Sequence, residues 1–147
     1  MKQEVLKALY TKLNATSGVT SLLSSATAIY IRQAPAPVQG GTPREPFIVL
    51  SLAAGGDDND SPTESGDLRI SILATALDTL TYGGSKRADD IAEAVRTALH
   101  EKQAGMSIDS PWNIYRIQHL TPIELVENIS SVQYYRSGGV YRVRISV

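Results

Sequence analysis

An alternating run followed by a glycine pair and an amphipathic stretch constrains this sequence more than any other feature. Over residues 67–76 apolar and polar side chains alternate, and a period of two predicts a strand with one buried face. Gly83 and Gly84 then permit a tight reversal, and Ser85 is a suitable helix N-cap. The apolar stripe that follows at helical spacing contains Ala88, Ile91, Ala92, Val95, Ala98 and Leu99. The small residues in that stripe would let the helix lie close to a sheet.

Composition limits the class of protein. A chain of 147 residues that is 42% hydrophobic fits a single compact domain with a sizeable core, and we take residues 1–147 as one domain. The formal net charge of −1 argues against a general nucleic-acid binder, which normally carries a basic excess. The absence of cysteine excludes disulfides, thiolate catalysis and zinc–thiolate sites. No apolar run approaches the ~18 residues of a transmembrane helix and no signal core follows Met1, so we expect a soluble chain without a membrane partner.

The remaining strands and helices are predicted from the same two periodicities, the strand period of two and the helical spacing. They are a helix over Lys2–Asn14, a helical turn over residues 19–23, and strands over residues 28–31, Phe47–Leu52, 112–120 and 132–147. Residues 121–131 are expected to separate the last two strands, and Gly138 with Gly139 predicts a bulge or a tight hairpin. This order predicts an α+β fold, in which a mostly antiparallel mixed sheet carries its two main helices on one face.

A proline- and glycine-rich segment over residues 33–46 is expected to be a long exposed loop. Its four prolines and its glycine pair exclude both a helix and a strand ladder. Loops of this length are uncommon inside compact domains and tend to be functional. We therefore expect this segment to contact a partner.

Two other loops invite a test for ligand chemistry, and neither matches a binding pattern. Residues 83–86 lie between a strand and a helix, as a phosphate loop would, but the first glycine and the Gly-Lys-Ser/Thr run of the Walker pattern are missing. Asp58 and Asp60 begin like a calcium loop, but Pro62 stands where a ligand belongs and the required glycine is missing. We therefore predict a turn and a solvated acidic loop, with no metal and no cofactor.

The two histidines have no evident catalytic partner. His100 falls near the end of the predicted long helix, where a cationic side chain suits the helix dipole, and His119 lies in or beside a strand. The chain contains no Gly-x-Ser-x-Gly elbow that would supply a nucleophile. We therefore expect both histidines to be structural or exposed, and we predict no catalytic residue and no enzyme activity.

The C-terminal region is locally basic and rich in tyrosine. Its arginines are Arg116, Arg136, Arg142 and Arg144, and its tyrosines are Tyr115, Tyr134, Tyr135 and Tyr141. Interleaved basic and aromatic side chains can bind single-stranded nucleic acid, and they also mark protein interfaces. Because acidic residues elsewhere cancel the charge, we favour a protein interface.

In the order and character of these elements the chain resembles the tail terminators of long-tailed bacteriophages, in particular the short tail-completion proteins encoded near the major tail protein. The resemblance covers nearly the whole chain. It is carried by the opening helix at residues 5–9, the strands at 28–30 and 46–50, the long strand that leads through the glycine pair into residues 86–99, and the closing residues 141–145. The proline-rich loop and the acidic loop depart from the usual pattern, so docking details are not carried over.

The resemblance implies a structural virion protein of the tail or neck, present in the host cytoplasm during assembly. Members of this family form a ring, typically a hexamer, that caps the head-proximal end of the tail tube, stops its polymerisation and offers a surface for head–tail joining. The implied partners are further copies of the chain, the major tail tube protein and a head-completion or connector protein. Phage DNA would pass through the lumen without sequence-specific binding. The alternatives are another neck ring component, such as a head-closure or connector protein, and a small ligand-binding domain or enzyme.

Two sets of residues are predicted to serve such a ring, since a closed ring needs two different patches on each subunit. The predicted interface residues are Pro35, Pro37, Val38, Gly40, Gly41, Pro43, Arg44, Arg136, Tyr141, Arg142 and Arg144. The acidic residues Asp57, Asp58, Asp60 and Glu64 are predicted to face the lumen, where their charge would repel DNA. An outward-facing solvated loop is the open alternative for these four acids.

Overall fold

The computed structural model describes residues 2–25, 27–32, 46–53, 65–77, 84–129 and 132–146. Its helices are α1 (Lys2–Asn14), α2 (Ser17–Thr20) and α3 (Gly84–Leu99), and its strands are β1 (Ile29–Ile31), β2 (Phe47–Leu52), β3 (Ser65–Leu77), β4 (Asn113–Ile129) and β5 (Val132–Ser146). Among these residues, none of the helices is both long and apolar enough to cross a membrane.

The five strands form one mixed sheet in the order β1-β2-β3-β5-β4. β1 and β2 are parallel, and all other neighbours pair antiparallel. α1 packs on β1 and β2, whereas α3 packs on β3 and β5. Side chains of both helices belong to one buried core, so they share one side of the sheet, which we call the helix face. The predicted α+β fold, with a mostly antiparallel sheet and its main helices on one face, is confirmed.

Strand β3 and helix α3 meet as their periodicities predict. The alternate residues Leu68, Ile70, Ile72, Ala74 and Ala76 of β3 are all buried. The facing stripe of α3 buries Ala88, Ile91, Val95 and Leu99. Each fully buried leucine or isoleucine contributes roughly 1.5–3 kcal/mol relative to an exposed one. The pairing of this strand with this helix therefore supplies a large share of the core.

Strand β4 differs from its prediction, because residues 121–129 continue the strand that was expected to end at residue 120. The register against β5 shifts between Ile114 and Arg116 and again between His119 and Thr121, which marks two bulges. Pro122 lies within this continuation, although proline cannot donate a hydrogen bond to a ladder. β4 lies at the edge of the sheet and pairs with β5 alone, so a residue without an N–H is tolerated there.

Two smaller predictions are also corrected. α3 begins at Gly84, so Ser85 lies inside the first turn rather than at the N-cap. Gly138 and Gly139 lie within β5 and form neither a hairpin nor a bulge, and the two bulges are in β4. A Cβ atom on Gly138 would lie 1.9 Å from the carbonyl oxygen of Ile72, so the glycine is required by the close approach of β3.

Candidate functional site

The side of the sheet away from α1 and α3, which we call the outer face, presents the polar side chains of β3, β5 and β4. Strand register places two rows of arginines on it. Arg69 of β3 lies opposite Arg142 of β5, and Arg144 of β5 lies opposite Arg116 of β4. We call these four residues the arginine quartet. Arg69 and Arg116 are exposed, and Arg142 and Arg144 are half-buried.

Two of the four arginines have a carboxylate partner. Arg142 donates hydrogen bonds from Nε and Nη2 to Oδ2 of Asp67, the former at 2.7 Å. Arg116 donates from Nε to Oε1 of Glu101 at 3.0 Å. The side chains of Asp67 and Glu101 are 41% and 39% exposed, so each pair adds less than about 1 kcal/mol. The hydrogen bonds from Arg142, opposed in part by desolvation, hold the pKa of Asp67 below its ordinary value.

The other two arginines give the outer face an excess of positive charge. Arg69 and Arg144 form no ion pair among the residues that the structure describes. Both lie near Asp67, since their charges help to lower its pKa. The quartet with its two carboxylates therefore carries a formal excess of two positive charges, over three neighbouring strands.

An apolar band adjoins the quartet on the outer face. Leu73 of β3, Val140 of β5 and Ile123 of β4 are half-buried at neighbouring register positions. Leu125 of β4, which follows on the same face, is 45% exposed. An apolar centre beside arginines is the composition of a protein–protein interface rather than of a catalytic cleft.

The predicted interface residues of β5 separate into two groups. Arg142 and Arg144 belong to the quartet, and Arg136 pairs through Nη2 with Oε2 of Glu127 at 3.1 Å. Tyr141 is 2% exposed, and burial raises its pKa well above the ordinary value. Its side chain belongs to the helix-face core, so it cannot contact a neighbouring molecule and we remove it from the interface.

The remaining predicted site residues lie outside the part of the chain that the structure describes. They are Pro35, Pro37, Val38, Gly40, Gly41, Pro43 and Arg44 of the proline-rich segment and Asp57, Asp58, Asp60 and Glu64 of the acidic segment. Their assignment to an interface and to a lumen stays a prediction.

A groove on the opposite side of the domain separates α3 from the edge strand β4. It has a volume of about 210 Å³. Its charged lining consists of Asp89, Glu93 and Arg96 of α3 and Glu124 of β4. Asp89 accepts a hydrogen bond from Ser137 Oγ at 2.6 Å. We call Asp89, Glu93 and Glu124 the acidic wall.

The two histidines lie together beside this groove. The backbone N–H of His119 donates to Nδ1 of His100 at 3.1 Å. The His119 ring packs edge-to-face on Tyr141, with 5.1 Å between centroids. The pair ties the end of α3 to β4, which is a structural role.

His119 predicts a pH dependence of stability. Desolvation, with the charges of Arg96 and His100 and against that of Glu93, lowers its pKa from 6.5 in the folded chain. The unfolded chain therefore takes up a proton first, and we expect the free energy of unfolding to fall as the pH drops from about 7.5 to about 5.5. Denaturant unfolding at both pH values should show a weaker dependence in His119→Gln. An unchanged slope in that variant would assign the pH dependence to other groups.

Of the two ligand patterns weighed in the sequence, the acidic segment with Asp58 and Asp60 lies outside the described residues, and only residues 84–86 of the glycine-rich turn are described. Lys86 of the glycine-rich turn forms an exposed ion pair with Asp90, at 2.7 Å between Nζ and Oδ2. Across the described ranges, no group of three or more histidine, aspartate or glutamate side chains is arranged to hold a metal ion. The arginine quartet, with the apolar band beside it, is thus the best-developed candidate site.

Sequence reasoning missed part of this site. Arg69 was only a polar residue on an alternating strand, Glu93 lay off the apolar stripe of the predicted long helix, and Glu124 fell in residues 121–131, which were expected to separate two strands. Their grouping depends on the register between β3, β5 and β4 and on the position of α3, neither of which can be read from composition or periodicity. The alternation of Arg142 and Arg144 with buried neighbours was the available signal.

Comparisons with known proteins agree with this architecture. No curated protein sequence matches the chain. A chain from a structure described as the virion of a native gene transfer agent (GTA) particle has the same fold, with a TM-score of 0.66 and 19% sequence identity over 99% of this chain and 97% of that one. The family model described as tail completion protein gp17 matches residues 7–145. The chain therefore belongs to the tail completion protein gp17 family and is a structural protein of a phage tail.

Proposed function

We propose that this chain is a tail terminator, which forms a ring on the head-proximal end of the tail tube, stops tube growth and provides the surface for head–tail joining. The match to the tail completion family over residues 7–145 carries the proposal. The ring would consist of identical copies, most simply six, with the tail tube protein on one side and a head-completion or connector protein on the other. The virion particle that contains the structurally similar chain supports a place in such an assembly.

The outer face supports the ring on physical grounds. A ring of identical subunits joins two different patches head to tail. The arginine quartet and the apolar band together have the makeup of one such patch, with guanidinium groups around an apolar centre. The other interface residues of the prediction, in the proline-rich segment, would add contacts to the tube or to a neighbouring copy.

The acidic residues of the segment before β3 have a separate role in the proposed ring. In the proposal Asp57, Asp58, Asp60 and Glu64 face the lumen, where negative charge weakens contact between the ring and the phosphate backbone of passing DNA. DNA would then pass without sequence-specific binding. The distances of these four carboxylates from the lumen of an assembled ring test this part of the proposal. Carboxylates that point outward would have no effect on the passage of DNA.

A tube-growth assay tests the proposed function. The tail tube protein is assembled with and without this chain, and tube length is followed by electron microscopy. We expect tubes to stop growing at a chain-to-tube ratio near one ring per tube. A matched control is an unrelated protein of similar size and charge. Growth that continues unchanged, together with binding to a head-completion protein, would instead identify the chain as another neck ring component.

A further inference from the structure

The arginine quartet brings like charges next to one another on the outer face. Arg69 lies directly opposite Arg142 and Arg144 directly opposite Arg116, and like charges at such positions repel. Asp67 forms an ion pair with Arg142 and also lies directly opposite Arg144, and Glu101 forms an ion pair with Arg116, so two carboxylates face four arginines. Among the described residues Arg69 and Arg144 form no ion pair of their own. A surface of this kind is stabilised when an anionic partner covers it.

The opposite side of the same chain carries complementary groups. Glu93 and Glu124 of the acidic wall are exposed and form no ion pair among the described residues. With Asp89 they outnumber Arg96, the basic residue of the groove, so the groove lining has a formal excess of two negative charges. The outer face and this groove thus carry opposite charges of equal size on opposite sides of the sheet.

We propose that the arginine quartet of one copy docks on the acidic wall of the next copy. The inference rests on the proposed ring and names the two surfaces that join its subunits. A guanidinium can donate two parallel hydrogen bonds to a carboxylate, which fixes orientation as well as attraction. Because the two surfaces lie on opposite faces, the contact runs head to tail, and such a contact forms a closed ring when the rotation between successive copies closes and an open filament when it does not. A two-fold contact through the outer faces would oppose arginines to arginines.

A second copy fits the quartet better than nucleic acid does. The chain has a net charge of −1, so the domain as a whole does not attract a polyanion. The acidic wall beside β4 would repel a polyanion that contacted more of the domain than the quartet. A copy of the chain, in contrast, brings Glu93 and Glu124 to Arg69 and Arg144, and none of these four forms an ion pair among the described residues. The half-buried apolar band next to the quartet adds apolar surface that a protein partner can bury.

Charge reversal on each surface tests the proposal. The outer-face variant is Arg69→Glu/Arg144→Glu, and the groove variant is Glu93→Arg/Glu124→Arg. We expect each variant alone to associate about 100-fold more weakly than the unchanged chain, since like charges then meet across the contact. Assembly is measured by sedimentation in solution and by imaging on tail tube ends, with circular dichroism to confirm folding.

Two combinations distinguish a direct contact from a general charge effect. Equal amounts of the two variants should form rings of alternating copies, because each reversed surface then meets its complement. All four substitutions in one chain should also restore the ring. The matched control Lys7→Glu/Lys102→Glu changes the same charge at exposed residues of neither surface, and should assemble normally.

The outcomes separate this inference from the proposed function. If the outer-face variant forms rings as readily as the unchanged chain, or if the mixed variants stay apart, the docking proposal is wrong while tube capping can stand. Rings that depend on these charges but leave tube growth unaffected would support the docking and contradict the terminator. Duplex DNA binding that is lost in the outer-face variant while rings persist would assign the quartet to phosphate and overturn the proposal. If the unchanged chain forms no ring in solution or on tubes, both proposals fail.

Discussion

Replacing Gly138 with alanine is expected to lower the free energy of unfolding by about 3 kcal/mol, the upper part of the range for an overpacked core position. The added Cβ atom would lie 1.9 Å from the Ile72 carbonyl oxygen and 2.9 Å from its carbonyl carbon. Both are backbone atoms of a central strand, so relief requires a shift of β3 against β5. Denaturant unfolding with a constant m-value would measure the loss.

The matched control for this change is Gly18→Ala. Gly18 lies in the short helix α2, and a Cβ atom there meets nothing within 4 Å. Alanine is the better helix former, so we expect no loss and a gain of up to about 1 kcal/mol. Equal effects at the two positions would show that the close approach of β3 to Gly138 is not what makes that glycine necessary.

The replacement Tyr141→Ala is expected to cost about 4 kcal/mol, as for other large-to-small changes of aromatic core residues. Tyr141 is one of the largest fully buried side chains and contacts the ring of His119. Its removal leaves a cavity on the helix face, whereas an interface residue would leave the stability of the isolated chain unchanged. The free energy of unfolding of the monomeric chain separates these two roles.

The neighbouring residue Arg142 provides the control for Tyr141. It lies on the opposite face of the same strand, and its ion pair with Asp67 is partly exposed. We expect Arg142→Ala to change the free energy of unfolding by less than about 1 kcal/mol, and less still at high salt. A large loss at Arg142 with a small one at Tyr141 would reverse the assignment of the two faces.

The parts of the fold that rest on local periodicity could be predicted from the sequence. Phe47–Leu52 was assigned with the same bounds that the structure gives, and Lys2–Asn14 likewise, because each has a clear apolar pattern with stop signals beside it. The alternation of β3 identified its buried face residue by residue. Such patterns arise within one element and need no knowledge of its neighbours.

The errors occurred where tertiary position overrides a local signal. Residues 121–131 were expected to separate two strands, yet β4 continues through Pro122, because an edge strand needs ladder hydrogen bonds on one side. The adjacent glycines of β5 predicted a bulge or a tight hairpin. In the structure their lack of a side chain allows β3 and β4 to approach β5 and leaves room for the His119 ring. In both cases the outcome depends on which strand is the neighbour in the sheet.

The candidate site could be predicted only in part for the same reason. Alternation indicated that Arg142 and Arg144 leave the core, but it did not show that Arg69 and Arg116 lie opposite them. The groove on the other side joins residues of α3 and β4 that are far apart in sequence. A charge that looks like ordinary solvated surface in the sequence becomes informative once its cross-strand neighbours are known.

The family assignment gives these surfaces a context. A tail completion protein must associate with other structural proteins of the tail, and the described surface offers two faces of opposite charge for such contacts. The family assignment thus points to assembly as the chemistry of these two faces.

The most direct test of the terminator proposal is the image of a tail tube assembled in the presence of this chain. Electron microscopy of such tubes, with class averages viewed along the tube axis, would count the copies bound at each end. We predict one closed ring, most simply of six copies, on one end only and on every tube that has stopped growing. Tubes with bare ends beside a chain that stays monomeric in solution would contradict it.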